Sequence, residues 1–180
     1  MTDRNDRRET FIDRMADHVL SQGLAGATLR PLAAAAGTSD RMLLYYFADK
    51  DELLTAVLER VAARLLSELD AAVAVGPRPF EVLLAEVWAI LGAERLQAYM
   101  RVWLDLASGA ARHLEPHRAV AGAIADGYVA WAAARLDGPN PEAARFITTV
   151  QGMYLLAAIG RPAIAETGLT AVRRASPQGR

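Results

Sequence analysis

The amino-acid sequence predicts an all-α protein, a small N-terminal head of three helices followed by a larger helical region. Three observations carry that expectation. Apolar residues recur at helical spacing in nearly every segment, no alternating strand pattern runs beyond a few residues, and the segments are separated by glycine, proline or capping residues. There is no internal repeat of fixed period and no low-complexity stretch.

The elements follow in order. Residues 7–22 place Phe11, Ile12, Met15, Ala16, Val19 and Leu20 on one broad face, a cover for the two short helices that follow, and Gly23 ends the run. Leu29, Leu32, Ala33 and Ala36 repeat at helical spacing up to Gly37. Thr28 has the character of an N-cap, but Pro31 disfavours helical angles at Arg30, so this short helix is expected to begin at Pro31. Thr38, Ser39 and Asp40 then offer oxygens to cap a second short helix, in which Met42, Leu43, Tyr46 and Phe47 form an apolar stripe and Asp40 and Arg41 point outward. Asp49 caps a third helix with Asp51 and Glu52 in its first turn. Leu53, Val57, Val61, Leu65 and Leu69 extend it at four-residue spacing, flanked by Leu54 and Leu58, toward residue 73, a length of ~34 Å.

Gly76-Pro77-Arg78-Pro79 is the strongest break in the chain. Helices are expected beyond it over 80–91, 94–111, 117–136, 141–159 and 162–174, punctuated by Gly92, Glu115-Pro116, Gly138-Pro139 and Gly160, with a frayed tail at 176–180. Two short helices joined by a tight turn are the outline of a helix-turn-helix, which lays the first turn of its second helix in a DNA major groove.

Thr28, Ala36-Gly37, Ser39, Leu43, Tyr46-Phe47, Lys50 and Leu53-Leu54, taken in that order, resemble the DNA-binding domain of TetR-family transcriptional regulators. Two positions depart from the pattern. Arg41 stands where the family often has a small residue, and Leu44 stands where it has a phosphate-contacting tyrosine. Beyond Leu54 the resemblance rests on helix number and length. It implies a DNA-binding domain at 1–50 and an effector-binding and dimerisation domain at 51–180, with helix 50–73 connecting them. It further implies that Thr38, Ser39, Asp40, Arg41 and Met42 enter the groove, Arg41 as the foremost base reader and Arg30 as a second. Thr28, Lys50, Tyr45 and Tyr46 are the implied phosphate anchors, and which tyrosine takes over from Leu44 stays open.

Composition bounds the remaining readings. The formal charge is −1, and within residues 1–50 seven basic side chains face seven acidic ones, so DNA binding depends on where the basic groups point. Lys50 is the only lysine and lands on the family's phosphate position. The absence of cysteine excludes disulfides, thiolate metal sites and thiol redox sensing. The longest run without a charged residue, Phe146–Gly160, is shorter than the roughly 20 residues of a membrane span, and the charged N-terminus is no secretory signal, so a cytoplasmic protein is expected. Neither a glycine-rich phosphate loop, a GxSxG elbow nor a Glu-x-x-His pair is present, and no enzyme, catalytic residue or cofactor is expected. His113 and His117 flank Glu115-Pro116, where proline spoils helical ligand geometry, and no metal is expected.

Trp88, Tyr99, Met100, Trp103, Tyr128, Trp131, Phe146, Met153 and Tyr154 lie on the later helices. Ordinary core packing accounts for such a group. So does an apolar effector pocket, for which the first eight are the candidate lining. Gly122 and Gly127 within one helix suggest close helix approach or room for a ligand. Ile147, Val150, Gly152, Leu155, Leu156 and Ile159, then Ile164, Leu169 and Val172, put apolar and small residues on several sides of the last two helices, a partner surface by pattern. The resemblance implies that these helices pair with a second copy as a four-helix bundle, with Ile147, Gly152, Leu155, Leu156, Ile159 and Leu169 in the interface. The expectation is a homodimeric repressor on pseudo-palindromic double-stranded DNA, released by a small apolar effector. The alternative is a helical small-molecule module that never touches DNA.

Overall fold

Nine α-helices make up the described part of the computed structural model, which covers residues 2–74, 76–138 and 140–175, with side chains for 4–74, 76–138 and 142–171. They are α1 (Thr2–Gln22), α2 (Leu29–Ala36), α3 (Asp40–Tyr46), α4 (Lys50–Ala72), α5 (Phe80–Leu91), α6 (Gln97–Ala111), α7 (His117–Ala133), α8 (Asn140–Ala158) and α9 (Pro162–Ala175). Short 3₁₀ turns at Leu24–Gly26 and Glu94–Leu96 precede α2 and α6. The tail expected to fray lies outside the described residues.

Four boundaries correct the sequence reading, one of them at α6, which starts at Gln97 because Glu94–Leu96 forms a 3₁₀ turn. α1 starts at Thr2 rather than residue 7, so the segment that carries Arg4 is helical. α2 starts at Leu29 and includes Arg30 and Pro31, because first-turn backbone donors have no partner within the helix and proline there removes no hydrogen bond. Thr28 is extended and precedes the helix, yet its side chain makes no capping bond; its carbonyl accepts from the Leu32 amide at 3.0 Å. α7 stops at Ala133 because the next residues turn toward Arg78, whose amide donates to the Arg135 carbonyl and whose carbonyl accepts from the Asp137 amide.

The chain divides into two compact units. The first comprises 1–68 and 94–125, the second 69–93 and 126–180. In the first, α1 packs on α2 and α6, and the expected face of α1 is realised: Phe11, Ile12, Met15, Ala16 and Val19 are buried with Leu32, Ala33, Ala36, Leu43, Phe47 and Leu53. The four-residue row of α4 is buried along its whole length, Leu53 through Leu69. In the second unit α5 packs against α8 and α9, and α8 against α9, around Phe80, Leu83, Leu84, Val87, Phe146, Val150 and Met153.

Two packing expectations are corrected. Met42 leaves the stripe of α3 and is exposed, since α2 and α1 cover only the side bearing Leu43 and Phe47. Gly122 and Gly127 do not mark close helix approach: a β-carbon built on either would meet nothing within 4 Å, and Gly152 is open in the same way. Among the described residues no helix is long and apolar enough to cross a membrane.

Candidate nucleic-acid interface

The turn between α2 and α3 is built by backbone bonds that glycine makes possible. Gly37 adopts φ 74° and ψ 35°, its amide donates to Ala34 and the Thr38 amide donates to Ala33, the paired closure that ends a helix and reverses the chain. Arg14 donates to the Ala36 carbonyl at 3.1 Å, and a β-carbon on Gly37 would stand 3.0 Å from that guanidinium. Ser39 caps α3, its hydroxyl accepting from the Met42 amide at 3.3 Å. The chain therefore leaves one helix and enters the next within three residues, Gly37 to Ser39.

α3 is held from one side and open on the other. Leu43 is fully buried and Phe47 nearly so, while Arg41, Met42, Leu44 and Tyr45 are exposed, Tyr45 at 62%. Tyr46 is half-buried with its ring edge-on to Phe11 at 5.3 Å and to Tyr45 at 5.3 Å. Of the expected groove set, Ser39, Arg41 and Met42 are exposed and Thr38 and Asp40 partly so. Of the others, Thr28, Arg30, Tyr45 and Lys50 are exposed. At the next junction the Asp49 carboxylate accepts from the Glu52 amide at 2.8 Å and the Glu52 carboxylate accepts from the Ala48 amide at 2.6 Å, which fixes Lys50 at the start of α4.

The zero net charge of residues 1–50 is redistributed by the fold. Glu9, Asp13 and Asp17, on one face of α1, meet Arg60 and Arg64 of α4 in an alternating ladder: Arg60 pairs with Glu9 and Asp13, and Arg64 with Asp13 at 2.7 Å and Asp17 at 2.6 Å. Hydrogen bonding from Arg60 leads in holding the Asp13 carboxyl below its ordinary value; burial opposes it and Arg64 adds to it. Three of the seven acidic groups are thus neutralised by arginines outside the head. Arg8 is neutralised by Glu52 at 3.1 Å and Glu9 at 3.6 Å. Among the described residues, no carboxylate pairs with Arg4, Arg30, Arg41 or Lys50, and all four are exposed. The ladder was signalled by the four-residue spacing of Glu9, Asp13 and Asp17 and of Arg60 and Arg64; the sequence reading missed it because only the fold shows that the rows face each other.

The expected effector group falls in both units. Tyr99, Met100 and Trp103 lie in the first, with Trp103 and Tyr99 half-buried against its core, and burial pushes the Tyr99 hydroxyl up. Trp88, Tyr128, Trp131, Phe146 and Met153 lie in the second. There the Trp131 indole donates to Asp70 at 2.7 Å under the Arg135 guanidinium, Phe146 stands edge-on to Phe80 at 5.7 Å, and burial raises the Tyr128 hydroxyl strongly. Two cavities in the first unit, of about 330 and about 210 Å³, share Asp105 and are lined by other residues, among them Leu20, Arg101, Ser108 and His117. The expected interface residues Leu155 and Ile159 are 52% and 63% exposed, Gly152 is exposed, and Ile147, Leu156 and Leu169 are partly buried.

Residues 16–57 match the family model of bacterial regulatory proteins, tetR family. The chain is 35% identical over 104 residues, 54% of its length, to the HTH-type transcriptional regulator BetI of Stenotrophomonas maltophilia (strain R551-3), and the match spans about half of that relative (51%). Among solved structures it resembles the multidrug binding protein EbrR complexed with imidazole, at 26% identity and a TM-score of 0.67 over 97% of this chain and 92% of that one. It also resembles a TetR-family regulator from Cytophaga hutchinsonii, at 17% identity and a TM-score of 0.73 over 97% and 94%, a likeness of fold.

Proposed function

Since this chain belongs to the TetR family of bacterial regulatory proteins, we propose that it is a homodimeric DNA-binding regulator, a repressor released from a pseudo-palindromic operator by a small, largely apolar effector. The observation that carries the reading is the outward first turn of α3, capped by Ser39 and backed by buried Leu43 and Phe47. Arg41 is the principal base reader and Arg30 the second, with Thr38, Ser39, Asp40 and Met42 along the groove. Thr28, Tyr45, Tyr46 and Lys50 engage phosphates, which position the helix without reading sequence. In the two-fold dimer the readers stand about 34 to 36 Å apart, one turn of DNA.

Exposed Leu155 and Ile159, with Ile147, Gly152, Leu156 and Leu169, support pairing through α8 and α9. The effector reading draws on Trp88, Tyr99, Met100, Trp103, Tyr128, Trp131, Phe146 and Met153, and on the likeness to a multidrug binding protein. An effector acts by favouring a state in which α4 is displaced and the reader separation changes.

The test is a mobility-shift titration. Arg41→Ala relaxes preference at one operator position, at a cost of about 1 to 3 kcal/mol for the correct base, while Lys50→Ala weakens binding to all sequences and makes its salt dependence shallower. Both variants matching the parent protein would remove the assignment. Exposed, apolar Leu44 and the formal charge of −1 favour a second reading, a small-molecule module that does not bind DNA. Absence of any salt-dependent shift supports it.

A further inference from the structure

Arg4 lies on the first turns of α1, forty-one residues from the end of the reader helix, and the fold brings the two together. Its guanidinium donates to the Tyr45 carbonyl at 3.1 Å. It also lies over the Tyr45 ring at 4.7 Å and within 5.8 Å of the Tyr46 ring. That carbonyl belongs to the last turn of α3, where acceptors lack helical partners and a cation is favoured. One donor is used in this contact. A guanidinium carries five, in a planar fork suited to phosphate oxygens. Tyr45 beneath it is largely exposed, and Arg4 itself is exposed.

Arg8, one helical turn further along α1, supplies a comparison within the same molecule. It stacks over Phe47 at 4.6 Å in the same manner, but Glu52 and Glu9 neutralise it. Arg8 therefore staples α1 to the far end of the reader. Arg4 has the same stacking geometry and, among the described residues, no carboxylate, so its charge remains available beside exposed Tyr45.

We propose that Arg4 is a DNA-backbone contact, carried by α1 and seated on Tyr45 so that its remaining donors meet a phosphate at the C-terminal end of the reader helix. This rests on the DNA-reading assignment above. It supplies a cation beside Tyr45, the neighbour in the chain of Leu44, which cannot hold a phosphate.

The experiment measures binding of the full chain to a random-sequence DNA duplex as a function of salt, for the parent protein, Arg4→Gln and Arg4→Lys, with thermal melting of each. Arg4→Gln is expected to melt like the parent, to bind roughly tenfold more weakly and to lose about 1 from the slope of log affinity against log salt for each reader. Arg4→Lys restores the slope while recovering only part of the affinity, because the charge returns without the planar fork. Unchanged affinity and slope in Arg4→Gln overturn the inference while leaving the reader intact. Weaker binding with an unchanged slope overturns it too, since a helix cap without a phosphate contact moves affinity alone. Failure of the parent protein to bind DNA in a salt-dependent way removes the underlying assignment instead.

Discussion

Gly109 shows how a single missing side chain decides a packing arrangement. It is buried on α6, and a β-carbon there would lie 2.5 Å from Cδ2 and 2.8 Å from Cγ of the His117 ring. Gly109→Ala is therefore expected to destabilise the first unit by about 1 to 3 kcal/mol, the usual cost of overpacking, measured by urea denaturation. A change below about 0.5 kcal/mol means the ring can move aside. The same scale shows what local sequence conveys: the turn at Gly37 and a cap among Thr38, Ser39 and Asp40 are legible because both act on backbone groups within five residues, while the structure selects Ser39 as the cap. Met42 was misjudged because α3 has only seven residues, and a stripe of that length does not state which side the neighbours cover. Arg4 was not legible at all, since its partner is forty-one residues away.

At the scale of elements, the ladder joining α1 to α4 gives the head a pH response. The Asp13 carboxyl is held below its ordinary value of 3.8, first by its hydrogen bond from Arg60. A depressed folded value means that the contribution to stability is present above the unfolded value and is lost as pH falls through the folded one. Melting temperature should therefore fall on acidification below pH of roughly 4, and Asp13→Asn should flatten that part of the profile. Because the carboxylate is part-exposed, the loss at neutral pH is the screened scale of an exposed pair, about 1 kcal/mol. An acid branch identical in Asp13→Asn and the parent would assign the effect to other carboxylates. The ladder also explains why a head of zero formal charge can present cations: three of its carboxylates are turned to arginines of α4.

For the whole molecule, α8 and α9 leave Leu155, Ile159 and Ile164 more than half exposed, although α8 buries Phe146, Val150, Met153 and Tyr154 on its other side. Large apolar side chains left exposed on a helix that is buried along its other side mark a surface for a partner. On the proposed pairing through α8 and α9, Leu155→Glu with Ile159→Glu is expected to give a monomer in sedimentation or light scattering where the parent protein gives a dimer, and to weaken binding to the proposed operator by the loss of the second reader. A double variant that remains dimeric places the interface elsewhere.

The nine helices, the turn at Gly37, a cap among Thr38, Ser39 and Asp40, the cap at Asp49 and the family resemblance followed from the residues alone, because periodicity, capping and glycine backbone freedom act over a turn or two of chain. Tertiary structure alone decided that α6 packs on α1, that Met42 faces outward, that Glu9, Asp13 and Asp17 are spent on Arg60 and Arg64, and that Arg4 rests on Tyr45. These depend on which faces of separate helices are brought together. Charge and burial at a surface are properties of that juxtaposition, which no local pattern contains.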